Sequence, residues 1–323
     1  METILVTGGA GYIGSNCVRV LLDRGYSVVV LDNLSNGHIS ALPKNIKFIH
    51  GDLSDKILLD TIFKQNSIDA VVHFAGYIDV SESVKDPKKY FDNNYLNGLN
   101  LLEAMINNNV KKIVFSSTCA IFGNDVESHI SENFPKHPIN PYGLAKHMFE
   151  QTLEWYDKAY GLKSVCLRYF NAAGADFGIG EQHNVETHLI PLAIQAALGK
   201  RENIKIFGTD YPTKDGTCIR DYVHITDLSE AHVLALKHLF VKNKSAAYNL
   251  GSGNGYSVYD IIETIKKISG RNINVVIEKR REGDATILIA NSSKIKRELG
   301  WKAKRSLDEI IYSAWTWHIS QYY

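Results

Sequence analysis

Along the first half of the chain, apolar residues fall into short unbroken runs, separated by longer stretches in which they recur every three or four positions. The runs "ILVTG", "SVVVLD", "IKFIHGD", "DAVVHFAG", "KKIVFSS" and "SVCLRYFN" are short and rich in β-branched residues, so they predict strands. Residues 28–31 are apolar without a break, as expected of a strand covered on both faces. Tyr12 to Asp23 and most of the other intervals carry the helical period. Strands alternating with helices predict an α/β protein with a doubly wound parallel sheet.

After Asn171 the rhythm breaks. Residues 172–217 are rich in Gly, His and polar side chains, while "YNLGSG" at 248–253 reads as a strand that either rejoins the sheet or stands beside it. Helical patterns return at 258–268 and 307–318. The expected organisation is a first domain over 1–171 with return segments at about 218–250, and a smaller, interleaved C-terminal domain over 172–217 and 251–323.

Composition narrows the partners. A chain of 323 residues is long enough for about two domains. Its 36 Lys and Arg balance 35 Asp and Glu, which leaves no broad field for nucleic acid or an anionic membrane. Cys17, Cys119, Cys166 and Cys218 are scattered, so neither a zinc ribbon nor a disulfide framework is expected and the thiols point to a reducing compartment. With no basic segment before an apolar run at the start, and no run near the ~18 residues of a membrane span, the expected location is the cytoplasm. The twelve histidines include no His-Glu-x-x-His or comparable spacing, so no metal is expected.

The opening "ILVTGGAGYIG" places Gly8, Gly9, Gly11 and Gly14 between a strand and a helix. Glycines there permit a tight turn and close approach of backbone to a pyrophosphate, which then rests on the amides that begin the helix. Asp32 ends the next strand, about the ~20 residues later that such a fingerprint needs. A carboxylate there accepts from both hydroxyls of an adenosine ribose and repels a 2′-phosphate, which favours NAD over NADP. The first domain is therefore expected to be a Rossmann-type dinucleotide fold. In the "GDL" that follows the third strand, Asp52 is placed to accept from the adenine amino group.

The chemistry is expected where the next strands end. "HFAG" (His73 to Gly76) and "FSSTCAIFG" lie at carboxyl ends of strands, which line the crevice of an open α/β sheet. In "NPYGLAK", Pro141 opens a helix and sets Tyr142 and Lys146 four residues apart, on one face. Spacing of this kind also occurs on solvated helix faces, but here it accompanies the glycine motif and the strand-end hydroxyls of Ser116, Ser117 and Thr118. Together these residues resemble the extended short-chain dehydrogenase/reductase family. The resemblance assigns Thr118, Tyr142 and Lys146 to hydride chemistry at a hydroxyl carbon. Removing that hydrogen as hydride requires the hydroxyl proton to leave to a base of suitable pKa. A phenol at about 10 is too weak an acid to be poised as phenolate, and reaching about 7 takes roughly 4 kcal/mol. A lysine on the same helix face and a positive nicotinamide are the expected sources.

The later motifs "RYFNAAGA", "ETHLIPLAIQAALG", "IFGTDYPTKDGTCIRDYVHITDL", "YNLGSGNGYSV", "RREGD" and "LGW", with "DNLSNG" earlier, resemble the UDP-sugar 4-epimerases of that family over nearly the whole chain. The resemblance implies interconversion of UDP-galactose and UDP-glucose through a 4-keto sugar and transient NADH. It implies cofactor contacts from Gly8, Gly11, Tyr12, Ile13, Gly14, Asp32, Asn33, Asn36, Asp52, Leu53, Phe74, Ala75, Gly76, Ser116 and Tyr169, besides Tyr142 and Lys146. It puts Asn171, His188 and Leu189 near the diphosphate and sugar, Phe207 against uracil, and Arg220, Tyr222, Arg281 and Asp284 at the nucleotide end, with Thr118, Tyr142 and Leu288 at the sugar. Guanidinium suits phosphate because it pairs bidentately. It further implies a homodimer, since the segments near 90–107 and 148–159 carry apolar residues on more than one face. The chain departs from many members in having Tyr77 and Ile78 where they have Leu-Lys after "HFAG", and His188 where they have Asn. A 4,6-dehydratase would need an acid after Thr118, where Cys119 and Ala120 stand. A 4-epimerase of a UDP-pentose or UDP-N-acetylhexosamine, and an NAD sensor without turnover, remain as alternatives.

Overall fold

The apolar runs become parallel strands with helices on both faces. In the computed structural model, which describes residues 1–124, 129–183, 185–281 and 284–321, the chain starts with β1 (Thr3–Thr7), α1 (Tyr12–Asp23), β2 (Ser27–Asp32), β3 (Lys47–His50), α2 (Lys56–Asn66) and β4 (Ala70–His73). Short helices α3 (Val80–Lys85) and α4 (Pro87–Phe91) lead through a π-helical turn at Asp92–Leu96 into α5 (Asn97–Asn107). Then come β5 (Lys112–Thr118), β6 (His129–Ile130), α6 (Pro141–Tyr160), β7 (Lys163–Tyr169) and β8 (Asn171–Ala173). The remainder contains α7 (Leu189–Ala197), β9 (Ile204–Phe207), β10 (Ile219–Arg220), β11 (Tyr222–His224), α8 (Ile225–Lys242), β12 (Ala246–Leu250) and β13 (Tyr256–Ser257). It ends with α9 (Val258–Ser269), β14 (Val275–Glu278), β15 (Ile287–Ala290), α10 (Ser293–Leu299) and α11 (Leu307–Ser320).

The main sheet runs β12-β7-β5-β4-β1-β2-β3, with every neighbouring pair parallel. Of the two arrangements open to "YNLGSG", its first residues rejoin the sheet, with Tyr248 opposite Leu167. The order turns back between β3 and β4, so β1 and β4 diverge into connections on opposite sides and open a crevice at their carboxyl ends. One face of the sheet buries Val18 and Leu21 of α1 against Leu228 and Leu236 of α8. The other buries Leu59 of α2, Leu101 of α5 and Phe149 of α6. A separate apolar cluster joins Ile194, Ile261 and Ile311 from α7, α9 and α11. A second, 4-stranded sheet runs β13-β10-β15-β6.

Helix α6 begins where the sequence places its signals. The Asn140 side chain accepts from the Gly143 amide at 2.8 Å, and Pro141 occupies the first turn, where its missing N–H is no loss. Further along, the helix is tied to the sheet by charge. Arg168 of β7 donates to both carboxylate oxygens of Glu150, from Nε at 2.9 Å and Nη2 at 2.6 Å, and the Ser117 hydroxyl donates to the same carboxylate at 2.5 Å. Both charged side chains are 5 % exposed. Breaking a buried pair strands one charge and costs about 3–5 kcal/mol, whereas an apolar replacement of both partners is often neutral. Arg168→Leu is therefore expected to lose about that much stability in urea unfolding, and addition of Glu150→Leu to restore most of it. A double variant as unstable as the single one would contradict this reading of the pair.

Candidate active site

The turn after β1 is closed by backbone contact. Gly8 adopts φ +71°, and a Cβ on it would lie 2.5 Å from the Ala75 amide nitrogen; a Cβ on Gly14 would lie 2.2 Å from the Gly8 carbonyl oxygen. Glycine is thus required sterically, and the first turn of α1 is left with no side-chain cap and no acidic residue. Such a helix start offers its amides to an anion. Beside it, the Asp32 carboxylate accepts from the amides of Ala10 at 2.9 Å and Leu34 at 2.8 Å. Asp52 accepts from the Asn33 amide group at 2.6 Å and the Ser54 amide at 2.8 Å. Burial alone would raise Asp52, but these hydrogen bonds carry its carboxyl below the usual range. The turn, the bare helix start and the carboxylate after β2 fit a dinucleotide.

One cavity of about 1030 Å³ extends from this turn across the crevice. Its dinucleotide end is lined by Gly8, Gly11, Tyr12, Ile13 and Gly14, by Asp32, Asn33 and Asn36, and by Asp52 and Leu53. Phe74, Ala75, Gly76, Ser116 and Tyr169 line its middle, together with Thr118, Tyr142 and Lys146. Asn171, His188, Leu189, Phe207, Arg220, Tyr222, Arg281, Asp284 and Leu288 line the far end. Apart from Gly9 of the glycine motif, which packs against Val6 and Val30, the candidates from the sequence meet the same space, as does Ile78.

At the centre, the end of β5 meets the first turn of α6. The Thr118 oxygen accepts from the Ala120 amide at 3.1 Å, and Thr118 stands close enough to Tyr142 to favour its ionised phenol. Gly143 makes this approach possible, since a Cβ there would lie 2.6 Å from the Ala120 carbonyl oxygen. Lys146 is 3 % exposed; its Nζ donates to the Ser116 carbonyl at 2.8 Å and stands 4.8 Å from the centroid of the Phe115 ring. Withdrawal from water pushes the Tyr142 phenol up to about 12, against the pull of Thr118. Burial likewise lowers Lys146 to about 8, against the opposing charge of Glu150. The phenol thus moves away from neutrality, opposite to the expectation from spacing. The shared helix face is present, but Nζ is directed at the Ser116 carbonyl, and desolvation outweighs its field.

At the far end, Arg220 donates to the carbonyls of Ala285 at 2.7 Å and Ile219 at 3.0 Å, with its other Nη 3.9 Å from Asp284. Arg281 donates to Asp284 at 3.3 Å and lies 4.3 Å over the Phe207 ring. Two guanidiniums thus converge beside an aromatic face. Glu282 and Gly283 of "RREGD" lie outside the described residues. The Asn171 amide donates to the Asp221 carbonyl at 2.9 Å. Tyr222 is buried, which pushes its phenol up to about 12. Leu288 packs against the cluster of Cys119, Ile121 and Phe170.

Several residues that shape the site escaped the sequence reading. Asn94 accepts from the Tyr77 amide at 2.8 Å and donates to its carbonyl at 2.9 Å, fixing the chain just past Gly76. The Asp221 carboxylate accepts from the amides of Ser252 at 2.8 Å, Gly253 at 3.0 Å and Ala290 at 3.1 Å, holding the strand that carries Arg220. Glu150 lay one turn beyond Lys146, a signal present in the spacing but without a visible partner. Glu181, His183, Glu186 and His188 converge at the cavity edge, although their spacing follows no helical ligand pattern.

Residues 4–251 match the NAD dependent epimerase/dehydratase family. The UDP-glucose 4-epimerase of Halalkalibacterium halodurans is 52 % identical over 318 residues, covering 98 % of this chain and 95 % of its own. The crystal structure of the Brucella ovis UDP-glucose 4-epimerase in complex with NAD superposes with a TM-score of 0.95 at 43 % identity, covering 98 % of both chains. That of the UDP-Glc/GlcNAc 4-epimerase from Campylobacter jejuni gives 0.87 at 42 % identity, covering 99 % of this chain and all of its own. The chain belongs to the NAD dependent epimerase/dehydratase family and, within it, to the UDP-glucose 4-epimerases.

Proposed function

We propose that the chain interconverts UDP-galactose and UDP-glucose by oxidising and re-reducing C4 of the hexose, with Tyr142 as the base and acid. The observation that carries this reading is the continuity of one cavity from the glycine turn, past Thr118, Tyr142 and Lys146, to Arg220 and Arg281. NAD is the cofactor; when bound it accepts and returns a hydride and brings a positive charge. Tyr142 takes the C4 hydroxyl proton as the keto sugar forms and gives it back as the new hydroxyl forms. Thr118 holds the sugar oxygen in line with the phenol. From about 12, bringing the phenol to neutrality asks for roughly 7 kcal/mol of differential stabilisation. An opposite charge nearby lowers the pKa of an acid by about 1–3, so Lys146, turned from the Ser116 carbonyl toward the phenol, provides part of it and the nicotinamide charge the rest, the pull of Thr118 being already contained in the starting value. Arg220 and Arg281 hold the diphosphate while the keto sugar turns over. Cys119, whose thiol burial pushes up to about 12, stays neutral and supplies no acid for a dehydratase.

The roles of the remaining residues follow from position. Asp32 receives the adenosine ribose, Asp52 the adenine, and the amides after Gly11 the pyrophosphate. Phe207 receives uracil, with Arg281 over its ring 4.3 Å from the centroid. Residues 1–171 with about 218–250 act as the cofactor domain, and 172–217 with 251–323 as the substrate domain, a division supported by the separate cluster of α7, α9 and α11. Trp155 at 67 % exposure and Leu96 at 49 % stand on the two segments expected to pair, which supports a homodimer. Four buried free cysteines support a cytoplasmic location; no described helix is long and apolar enough to cross a membrane.

The direct test is formation of UDP-glucose from UDP-galactose by the purified chain without added oxidant. Tyr142→Phe is expected to retain less than about a tenth of turnover while still binding NAD, because only the phenolate role is removed. In Lys146→Ala the residual activity should rise at higher pH than in wild type, since the phenol loses its cation and its pKa moves up; an unshifted profile counts against the electrostatic role. Leu288, which lines the cavity, is assigned to the space in which a C2 substituent swings and so bears on the second substrate. Slower turnover of UDP-N-acetylglucosamine is expected, raised by Leu288→Ser and suppressed by Leu288→Tyr, within the roughly 10- to 200-fold range that steric discrimination gives. A ratio of specificity constants that stays flat across both variants would remove Leu288 from the pocket. Light scattering at micromolar concentration should report twice the 36.2 kDa chain mass, and a single species at 36.2 kDa would refute the dimer.

A further inference from the structure

Between β8 and α7, four side chains that line the cavity converge on one point. Nδ1 of His188 lies 3.0 Å from Glu181 Oε1 and 3.2 Å from Glu186 Oε1, while Nδ1 of His183 lies 3.3 Å from Glu186 Oε2 and 3.7 Å from Glu181 Oε1. One donor atom from each residue lies within 4.8 Å of all the others. Nitrogen and oxygen ligands held about 2.0–2.2 Å from a tetrahedral zinc ion stand about 3.3–3.6 Å from each other. The His183–Glu186 spacing of 3.3 Å falls on that edge, the His183–Glu181 spacing of 3.7 Å just beyond it, and the two His188 spacings, 3.0 and 3.2 Å, lie short of it at hydrogen-bond length.

The charges point the same way. The Glu181 and Glu186 side chains are 9 % and 8 % exposed, and that of His183 is 14 %. Two carboxylates gathered out of water need positive charge between them, which a protonated imidazole or a bound cation supplies. Two neutral imidazoles and two carboxylates cancel the charge of one divalent ion, and imidazole with carboxylate is a donor set zinc accepts. His188 at 44 % exposure opens the cluster to the cavity and gives an ion its route in.

We propose that Glu181, His183, Glu186 and His188 form a zinc site that fastens the segment between β8 and α7 across the rim of the cavity. Four protein ligands close the coordination shell, so the ion is structural and takes no part in turnover. With Nδ1 of His188 on the metal, the ring proton sits on Nε2 and the residue becomes a fixed donor at the start of α7. The site does not depend on which hexose is the substrate.

The test uses the intact chain, stripped by dialysis against a chelator and titrated with Zn²⁺ alone, with Co²⁺ as a spectroscopic stand-in. The expected results are one ion per chain, the intense visible bands of tetrahedral cobalt, and a zinc-dependent rise in the thermal midpoint. His183→Asn and Glu186→Gln should each weaken zinc binding by more than the roughly 10- to 100-fold lost when a group behind a ligand is removed, and abolish the thermal rise. Failure of the wild-type chain to bind zinc, weak octahedral cobalt bands, or folded variants that bind as tightly as wild type would overturn the site. Using both variants keeps the test valid if one of them fails to fold.

Discussion

The contact on which the site depends is the approach of the first turn of α6 to the end of β5. It is steric before it is chemical: Gly143 passes so close to the Ala120 carbonyl that a Cβ would lie 2.6 Å from it. Asn140 caps the helix at that point, so its first turn is fixed in direction as well as position. From this contact follow the closeness of Thr118 to Tyr142 and the burial of Lys146 one turn on. Another turn further, Glu150 locks the helix to β7 through Arg168. A larger residue at 143 would move the phenol, the ammonium and the buried ion pair together.

The charges along α6 form a sequence with a consequence for the phenol. Lys146 and Glu150 are spaced to pair on the helix, yet Glu150 is engaged bidentately by Arg168 and by Ser117. Its charge is thereby met chiefly by Arg168, and Lys146 is left with the Ser116 carbonyl as its hydrogen-bond acceptor. Burial lowers that lysine to about 8, so the cation is retained near neutral pH though not far above it. The same burial raises the phenol. One low-dielectric environment thus sets both groups, and pushes each toward its neutral form.

How much of this was legible in the sequence depended on range. The strands, the glycine turn and Asp32 were readable because each is encoded within a few neighbouring residues, and Tyr142 with Lys146 because helical spacing fixes a shared face. The direction of the phenol's shift was not, since spacing says which side chains share a face and nothing about what covers them. The gathering of Phe207, Arg220 and Arg281 came only through resemblance, because these residues lie on separate strands and loops of the second half. The Glu150–Arg168 pair and the cluster at 181–188 were missed for related reasons. One joins a helix to the next strand, and the other is built on an irregular segment with no period to reveal it.

The central claim is that C4 of the hexose gives up its hydrogen as hydride and receives the same hydrogen back on the opposite face. The most direct test is to convert UDP-galactose carrying deuterium at C4 in ordinary water and to follow the label in the product by NMR. The predicted result is full retention of deuterium at C4 of UDP-glucose, because neither Tyr142 nor any other group of the cavity removes that hydrogen as a proton. Loss of the label to solvent would show that it leaves as a proton, and would contradict the assignment of Tyr142 to the hydroxyl.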